Sequence, residues 1–297
     1  MNILLTGATG FLGSTLLRRM INDGHNASVL KRSTSSLNRI NGVQDHVRFF
    51  DCGLTSFEDV FSSSNFDAVV NTACCYGRSG ETAAELLEAN LLFEVKMLQC
   101  CADRNIPFIN TGSYLSPLVN GYALSKSQLE QWMDYFSGDC KAVTIKLDHM
   151  YGPGDDARKF AGMLLNHFDK DTPEINLTEG GQTRDFIHIN DVVDLFLRVL
   201  DSLDELNERT IIVAGSCREI SVRDFVIMLR NIWQAETGRE CVAKFNFGIV
   251  PYRKHEIMRT RIDPVVIVGE PWHTKVKLED GLKDYVRWFI KENTEKK

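Results

Sequence analysis

Over the first 200 residues, short apolar runs alternate with stretches in which apolar residues recur every three or four positions. The runs are Asn2–Leu5, Ser28–Lys31, Val47–Phe50, Ala68–Asn71, Phe108–Asn110 and Ala142–Leu147. They lack strict polar alternation, as strands covered on both faces do. Between them, Leu12, Leu16, Met20 and Ile21 form one helical stripe, which Gly24 ends. Leu86, Asn90, Phe93, Met97 and Cys101 form another, and a third helix starts near Tyr122 and carries Leu129, Trp132 and Met133. Strand–helix alternation of this kind predicts an α/β chain with a doubly wound parallel sheet and right-handed crossovers.

After about Tyr151 the pattern changes. Tyr151–Arg158, rich in Gly and Asp, reads as a loop; a short strand is expected at Thr210–Val213, with helices at Val222–Trp233 and Leu278–Ile290. Arg184–Asn190 reads as chain crossing back toward the sheet. The expected division is a nucleotide-binding domain over residues 1–155, joined by an interleaved segment at about 181–215, and a smaller α/β domain made mainly from residues 156–297.

Composition narrows the class. The 297 residues are 43% hydrophobic and 25% charged, the balance of an ordinary globular protein. Thirty-four basic against 40 acidic residues give −6, which argues against generic nucleic-acid binding. No run reaches the roughly 18 apolar residues of a membrane span. The start shows no basic segment followed by a long apolar stretch, so no signal peptide is expected. The eight cysteines form no C-x-x-C and are expected as reduced, mostly buried thiols of a cytoplasmic protein. His149 and His188 make no metal pair, and no metal is expected.

Candidate chemistry begins at Thr6-Gly7-Ala8-Thr9-Gly10-Phe11-Leu12-Gly13, between the first strand and the first helix. Three glycines there serve a tight turn, close approach to a pyrophosphate and close helix–strand packing, while the helix N-terminus offers N–H groups to phosphate. The domain is therefore of Rossmann type, with Gly7, Thr9, Gly10, Phe11, Leu12 and Gly13 as dinucleotide contacts. The second strand ends in Lys31-Arg32-Ser33 rather than in the acid that binds an NAD ribose, so NADP(H) is expected. Asp51 is a candidate for the adenine amino group, and Cys52 and Ala73 are further cofactor candidates.

Tyr122 and Lys126 stand four apart, on one face of a helix. An ammonium beside a phenol lowers its pKa from near 10 toward the range in which it exchanges protons. Thr111 and Ser113 follow the fifth strand, where hydroxyls reach the carboxyl edge of the sheet.

These features together resemble the extended short-chain dehydrogenase/reductases, in particular the nucleotide-sugar epimerases, dehydratases and ketoreductases. The resemblance rests on Thr6–Gly13, Asn90, Thr111–Ser113, Tyr122–Lys126, Tyr151-Gly152-Pro153 and Arg184–His188, with a helix start at Leu278–Leu282. Ile109–Ser113, Tyr122–Lys126 and Tyr151–Asp156 look most like CDP-abequose and CDP-paratose synthases, which use NADPH to reduce the C4 ketone of a CDP-linked 3,6-dideoxyhexose. The resemblance implies Tyr122 as acid, Lys126 on the nicotinamide ribose, Ser113 orienting the ketone and Thr111 as a second hydroxyl. For Asn90 a direct role and a core amide bonded to backbone stand side by side. Two departures matter: no Asp-Glu pair follows Thr111, which disfavours a 4,6-dehydratase, and Asp148-His149-Met150 replaces an Asn before Tyr151-Gly152-Pro153. Substrate candidates are Ser113, Tyr122, His149, Arg184, Arg253 and Arg259; Arg184 reads equally as one half of an ion pair. A homodimer is expected, formed by the helices that bear Asn90 and Tyr122. The alternatives are a nucleotide-sugar 4-epimerase retaining NAD and, remotely, a silent NADP-binding regulator.

Overall fold

A computed structural model describes residues 1–294. The chain divides into two compact units, one of Met1–Leu147, Val193–Val213 and Val265–Trp272, the other of the remaining described residues. The first crossover falls at 147 rather than the expected 155, the returning segment is 193–213 rather than 181–215, and a further segment, Val265–Trp272, also joins the first unit.

The first unit opens with β1 (Asn2–Thr6), α1 (Phe11–Asn22), β2 (Asn26–Lys31), β3 (Val47–Asp51) and α2 (Phe57–Ser62). It continues with β4 (Ala68–Asn71), α3 (Ala83–Leu87), α4 (Phe93–Ala102), β5 (Phe108–Ser113), α5 (Gly121–Tyr135) and β6 (Ala142–Leu147). Strand Arg209–Ala214 completes a seven-stranded sheet in the order Arg209–Ala214, β6, β5, β4, β1, β2, β3. The pairings from β6 through to β3 are all parallel. All four residues of β4 are buried, which explains its unbroken apolar run. The strand order reverses between β1 and β4, where Thr6 lies opposite Asn71. Ligands of doubly wound sheets bind outside the carboxyl ends of the strands at such a point.

Two helical details position the chemistry. Thr82 caps α3 through a capping box with Glu85, and Glu88–Leu92 is a π turn joining α3 to α4. Asn120 caps α5 by accepting from the Ala123 N–H at 2.8 Å, which sets Tyr122 in the first turn.

The second unit has its own core. Thr183–His188 pairs with His149–Tyr151 on one side and Glu219–Ser221 on the other. Arg184–Asn190 therefore does not cross back to the large sheet; its first five residues are the middle strand of a separate one. Helices Phe160–Asp169, Val222–Thr237 and Leu278–Thr294 supply much of the apolar cluster, with Phe186 stacked on Phe225 at 3.9 Å. The cysteines are less uniform than expected: Cys101 and Cys140 are buried, Cys74 and Cys217 exposed, the others between.

Candidate active site

Elements of the first unit bring the nucleotide loop and the Tyr122 region to the carboxyl ends of β1, β4 and β5. Gly7 has φ +71°, and a Cβ there would lie 2.5 Å from backbone atoms of Thr72 and Ala73. A Cβ on Gly13 would strike the Gly7 carbonyl and the Thr72 hydroxyl. The loop thus folds flat against the end of β4, beside Ala73, and no side chain caps α1, whose N-cap is Gly10. Backbone pressed this close with an uncapped twelve-residue helix behind it suits a dinucleotide pyrophosphate.

At the next strand end, Lys31 lies opposite Asp51. Lys31 Nζ is 3.3 Å from the Arg32 carbonyl, and Arg32 and Ser33 are exposed. Asp51 accepts the Gly53 N–H at 2.9 Å and a bond from Ser33. Those two bonds, in that order, hold its carboxyl below the ordinary value, and Lys31 adds to the effect. The expected cluster of Lys31, Arg32 and Ser33 is together, but the Ser33 hydroxyl serves Asp51, a carboxylate that reading β2 alone does not reveal. The Cys52 N–H donates to the Lys31 carbonyl at 2.9 Å.

Around the phenol, Ser113 is hydrogen-bonded to Tyr122, and the Tyr76 ring lies 5.0 Å from the Tyr122 ring. Ser113 also lines a hollow of about 400 Å³ with Tyr114, Ala123, Glu130 and Lys146. Thr111 differs: its hydroxyl donates to the Asn71 carbonyl at 3.0 Å and ties two strands. Asn90 accepts the Cys75 N–H at 2.6 Å and donates to the Cys75 carbonyl at 2.8 Å and to Ser125 at 3.2 Å. Its amide anchors the loop after β4, the core-amide reading.

Lys126 departs most from expectation. It is 1% exposed, and its Nζ sits 3.1 and 3.2 Å from the two carboxylate oxygens of Glu94, itself fully buried. A buried ammonium needs a counter-charge, and α4 supplies one. The Tyr122 phenol is not lowered. Loss of solvent pushes it well above its ordinary value, the nearby Cys74 and Glu94 push the same way, and Ser113 pulls weakly back. Glu94 was legible only as a lone acid on the stripe of Asn90, Met97 and Cys101.

In the second unit, Arg184 is buried and committed. It donates to the carbonyls of Thr183 at 2.6 Å and Ile257 at 2.7 Å and pairs with Glu256. Arg259 forks onto Glu219 at 2.8 and 3.0 Å. These are the ion pairs that compete with diphosphate binding, and Arg184 here holds its own fold. His149 Nδ1 is 2.8 Å from Asp148, and Arg253 is exposed.

The family model described as the NAD dependent epimerase/dehydratase family matches residues 3–215. The chain belongs to the NAD dependent epimerase/dehydratase family. Among curated relatives in the family's range are CDP-abequose synthases from Salmonella muenchen, 27% identical over 95% of both chains, and Salmonella typhimurium, 24% identical over 96% of this chain and 97% of that one. Among solved structures, UDP-glucuronic acid 4-epimerase from Bacillus cereus, in complex with UDP-glucuronic acid and NAD, superposes with a TM-score of 0.80 at 19% identity, covering 98% of this chain and 100% of that one. That likeness establishes the epimerase/dehydratase fold. The matched stretch runs from Ile3, the second residue of β1, through β6 and ends at Gly215. No helix among the described residues is long and apolar enough to cross a membrane.

Proposed function

We propose that the protein is an NADPH-dependent 4-ketoreductase. Its substrate would be a nucleotide-linked deoxyhexose of the CDP-4-keto-3,6-dideoxyglucose type, giving CDP-abequose or CDP-paratose. The observation that carries the reading is the Tyr122 phenol, hydrogen-bonded to Ser113 at the carboxyl end of β5, in the unit that carries the nucleotide loop. A protonated phenol suits donation to a carbonyl oxygen. The similarity to CDP-abequose synthases supports the same substrate class.

Gly7, Gly10 and Gly13 would receive the pyrophosphate of NADPH, with Lys31 and Arg32 on the 2′-phosphate. When bound, NADPH supplies the hydride that reaches C4. Tyr122 gives its proton to O4 as negative charge develops there, and Ser113 hydrogen-bonds the same oxygen. The carbon gains one hydride, the oxygen one proton, and water reprotonates the phenolate. No carboxylate follows Thr111, so the usual means of removing water from the sugar is lacking in that strand end.

One observation favours a second reading, a 4-epimerase retaining NAD. Asp51 places a carboxylate opposite Lys31, where a ribose diol could be bound. The test is NADPH oxidation against 4-keto sugars carrying CDP, dTDP, GDP or UDP. Net oxidation with the CDP sugar is expected. Bound NAD in the purified protein, with no net consumption of NADPH, would favour the epimerase.

A further inference from the structure

Two arginines of the second unit are spent on carboxylates, Arg184 on Glu256 and Arg259 on Glu219. Arg78, in the first unit, is not. It stands in the loop between β4 and α3, with its guanidinium 4.9 Å from the centre of the Tyr76 ring, and that ring lies 5.0 Å from the Tyr122 ring. Among the described residues the partner of Arg78 is this ring and not a carboxylate. Glu81, the one acid of the loop, accepts the Ser79 N–H at 2.8 Å and a bond from the Cys75 thiol.

The loop that presents Arg78 is held on both sides of Tyr76. Asn90 accepts the Cys75 N–H and donates to the Cys75 carbonyl. Gly77 has φ +69°, and a Cβ there would lie 3.2 Å from the Leu86 side chain of α3. Glycine makes this left-handed turn without steric cost, and the chain then returns Arg78 over the preceding ring. Tyr76 and Arg78 are both exposed. Burial raises the Tyr122 phenol most, and the Arg78 charge is among the groups that pull it back, so the cation is felt at the site.

A guanidinium held on an aromatic face keeps its N–H fork for an anion, and a fork suits phosphate oxygens. The spacing fits a nucleotide sugar. In a hexose ring C4 stands across from C1, and C1 carries the diphosphate. A substrate whose C4 meets Tyr122 therefore carries its diphosphate about one ring further on. Arg78 stands one ring, that of Tyr76, beyond Tyr122. We propose that Arg78 binds the diphosphate of the nucleotide-linked sugar and is a specificity-determining residue of the first unit. The inference rests on the nucleotide-sugar reading of the site and names a group that would hold the anionic part of that substrate.

The test is a calorimetric titration of the full chain, saturated with NADPH, with CDP-glucose, whose C4 alcohol NADPH cannot reduce. In Arg78→Ala the dissociation constant of CDP-glucose should rise about tenfold or more, with NADPH affinity and melting temperature unchanged. Arg78→Lys, which keeps the charge and loses the fork, should fall between. Added salt should weaken native binding more steeply than binding by Arg78→Ala. Unchanged CDP-glucose affinity in folded Arg78→Ala overturns the inference. Equal losses for CDP-glucose and NADPH overturn it too, by assigning the arginine to the cofactor. Should Arg78→Ala fail to fold, Arg78→Gln is read by the same criteria. Native protein that binds none of CDP-, UDP-, dTDP- and GDP-glucose also overturns it. Failure of the reductase reading shows separately, as nucleotide-sugar binding without NADPH oxidation by any 4-keto sugar.

Discussion

At the scale of single residues, the account turns on Tyr122 and on the end of β2. Tyr122→Phe removes the donated proton and leaves the ring against Tyr76. It should lower kcat by about 10²–10⁴ while NADPH still binds, checked by turnover and by fluorescence titration. Undiminished turnover would remove Tyr122 from the acid role. Lys31 and Arg32 are asked to choose the cofactor. The double variant Lys31→Ala/Arg32→Ala should lose about tenfold or more in NADPH affinity and little in NADH affinity. Equal losses for the two nucleotides would show that these cations see no 2′-phosphate. Asp51 makes that comparison informative, since its carboxylate opposite Lys31 is the group that would favour NADH.

At the scale of elements, the nucleotide loop is fixed by contacts that only glycine permits. Gly7→Ala places a methyl group 2.5 Å from Thr72 and Ala73 backbone and forces an L side chain to φ +71°. NADPH binding should fall by an order of magnitude or more, or the unit should lose about 2 kcal/mol or more, read by titration and by urea unfolding. The strands and the loop were legible because each is a local pattern: a run of Val, Ile and Leu, or glycines between strand and helix. β1 to β6 fall within two residues of the expected starts, and β5 extends three residues further to Ser113. What local pattern does not carry is partnership across elements. Lys126 was legible as Tyr122's helical neighbour, but its counter-ion sits on α4, 32 residues earlier. Arg184 reads as a phosphate ligand until Glu256 and two carbonyls are found around it. Arg184–Asn190 reads as a crossover for a related reason: the partners of strand Thr183–His188, His149–Tyr151 and Glu219–Ser221, are three residues each, too short to announce a second sheet.

At the scale of the whole molecule, each unit has a separate apolar core, and the second contains a group that ties its stability to pH. His188 is buried, its Nε2 has no hydrogen-bond partner among the described residues, and burial depresses its pKa below the ordinary 6.5, with Asp284 opposing weakly. Its folded form therefore favours the neutral ring, while the unfolded chain takes up a proton first on acidification. Stability is lost as pH falls from 6.5 toward the folded value and is present above it. The melting temperature should drop between about pH 7 and pH 5, and His188→Phe should drop less over the same range. An equal drop would assign the acid sensitivity to other groups. The exposed Leu87, Leu92, Leu124, Trp132 and Tyr135 on the helices around Asn90 and Tyr122 support the proposal of a homodimer through that face.

The central claim is a net transfer of hydride to C4 with Tyr122 as the proton donor. It is met most directly by incubating the protein with NADPH deuterated at the transferable position and a CDP-linked 4-keto deoxyhexose, then reading the product by NMR. The account predicts one deuterium at C4, one NADPH consumed per sugar, and loss of both in Tyr122→Phe. A product without deuterium at C4, formed while NADPH is untouched, would contradict it.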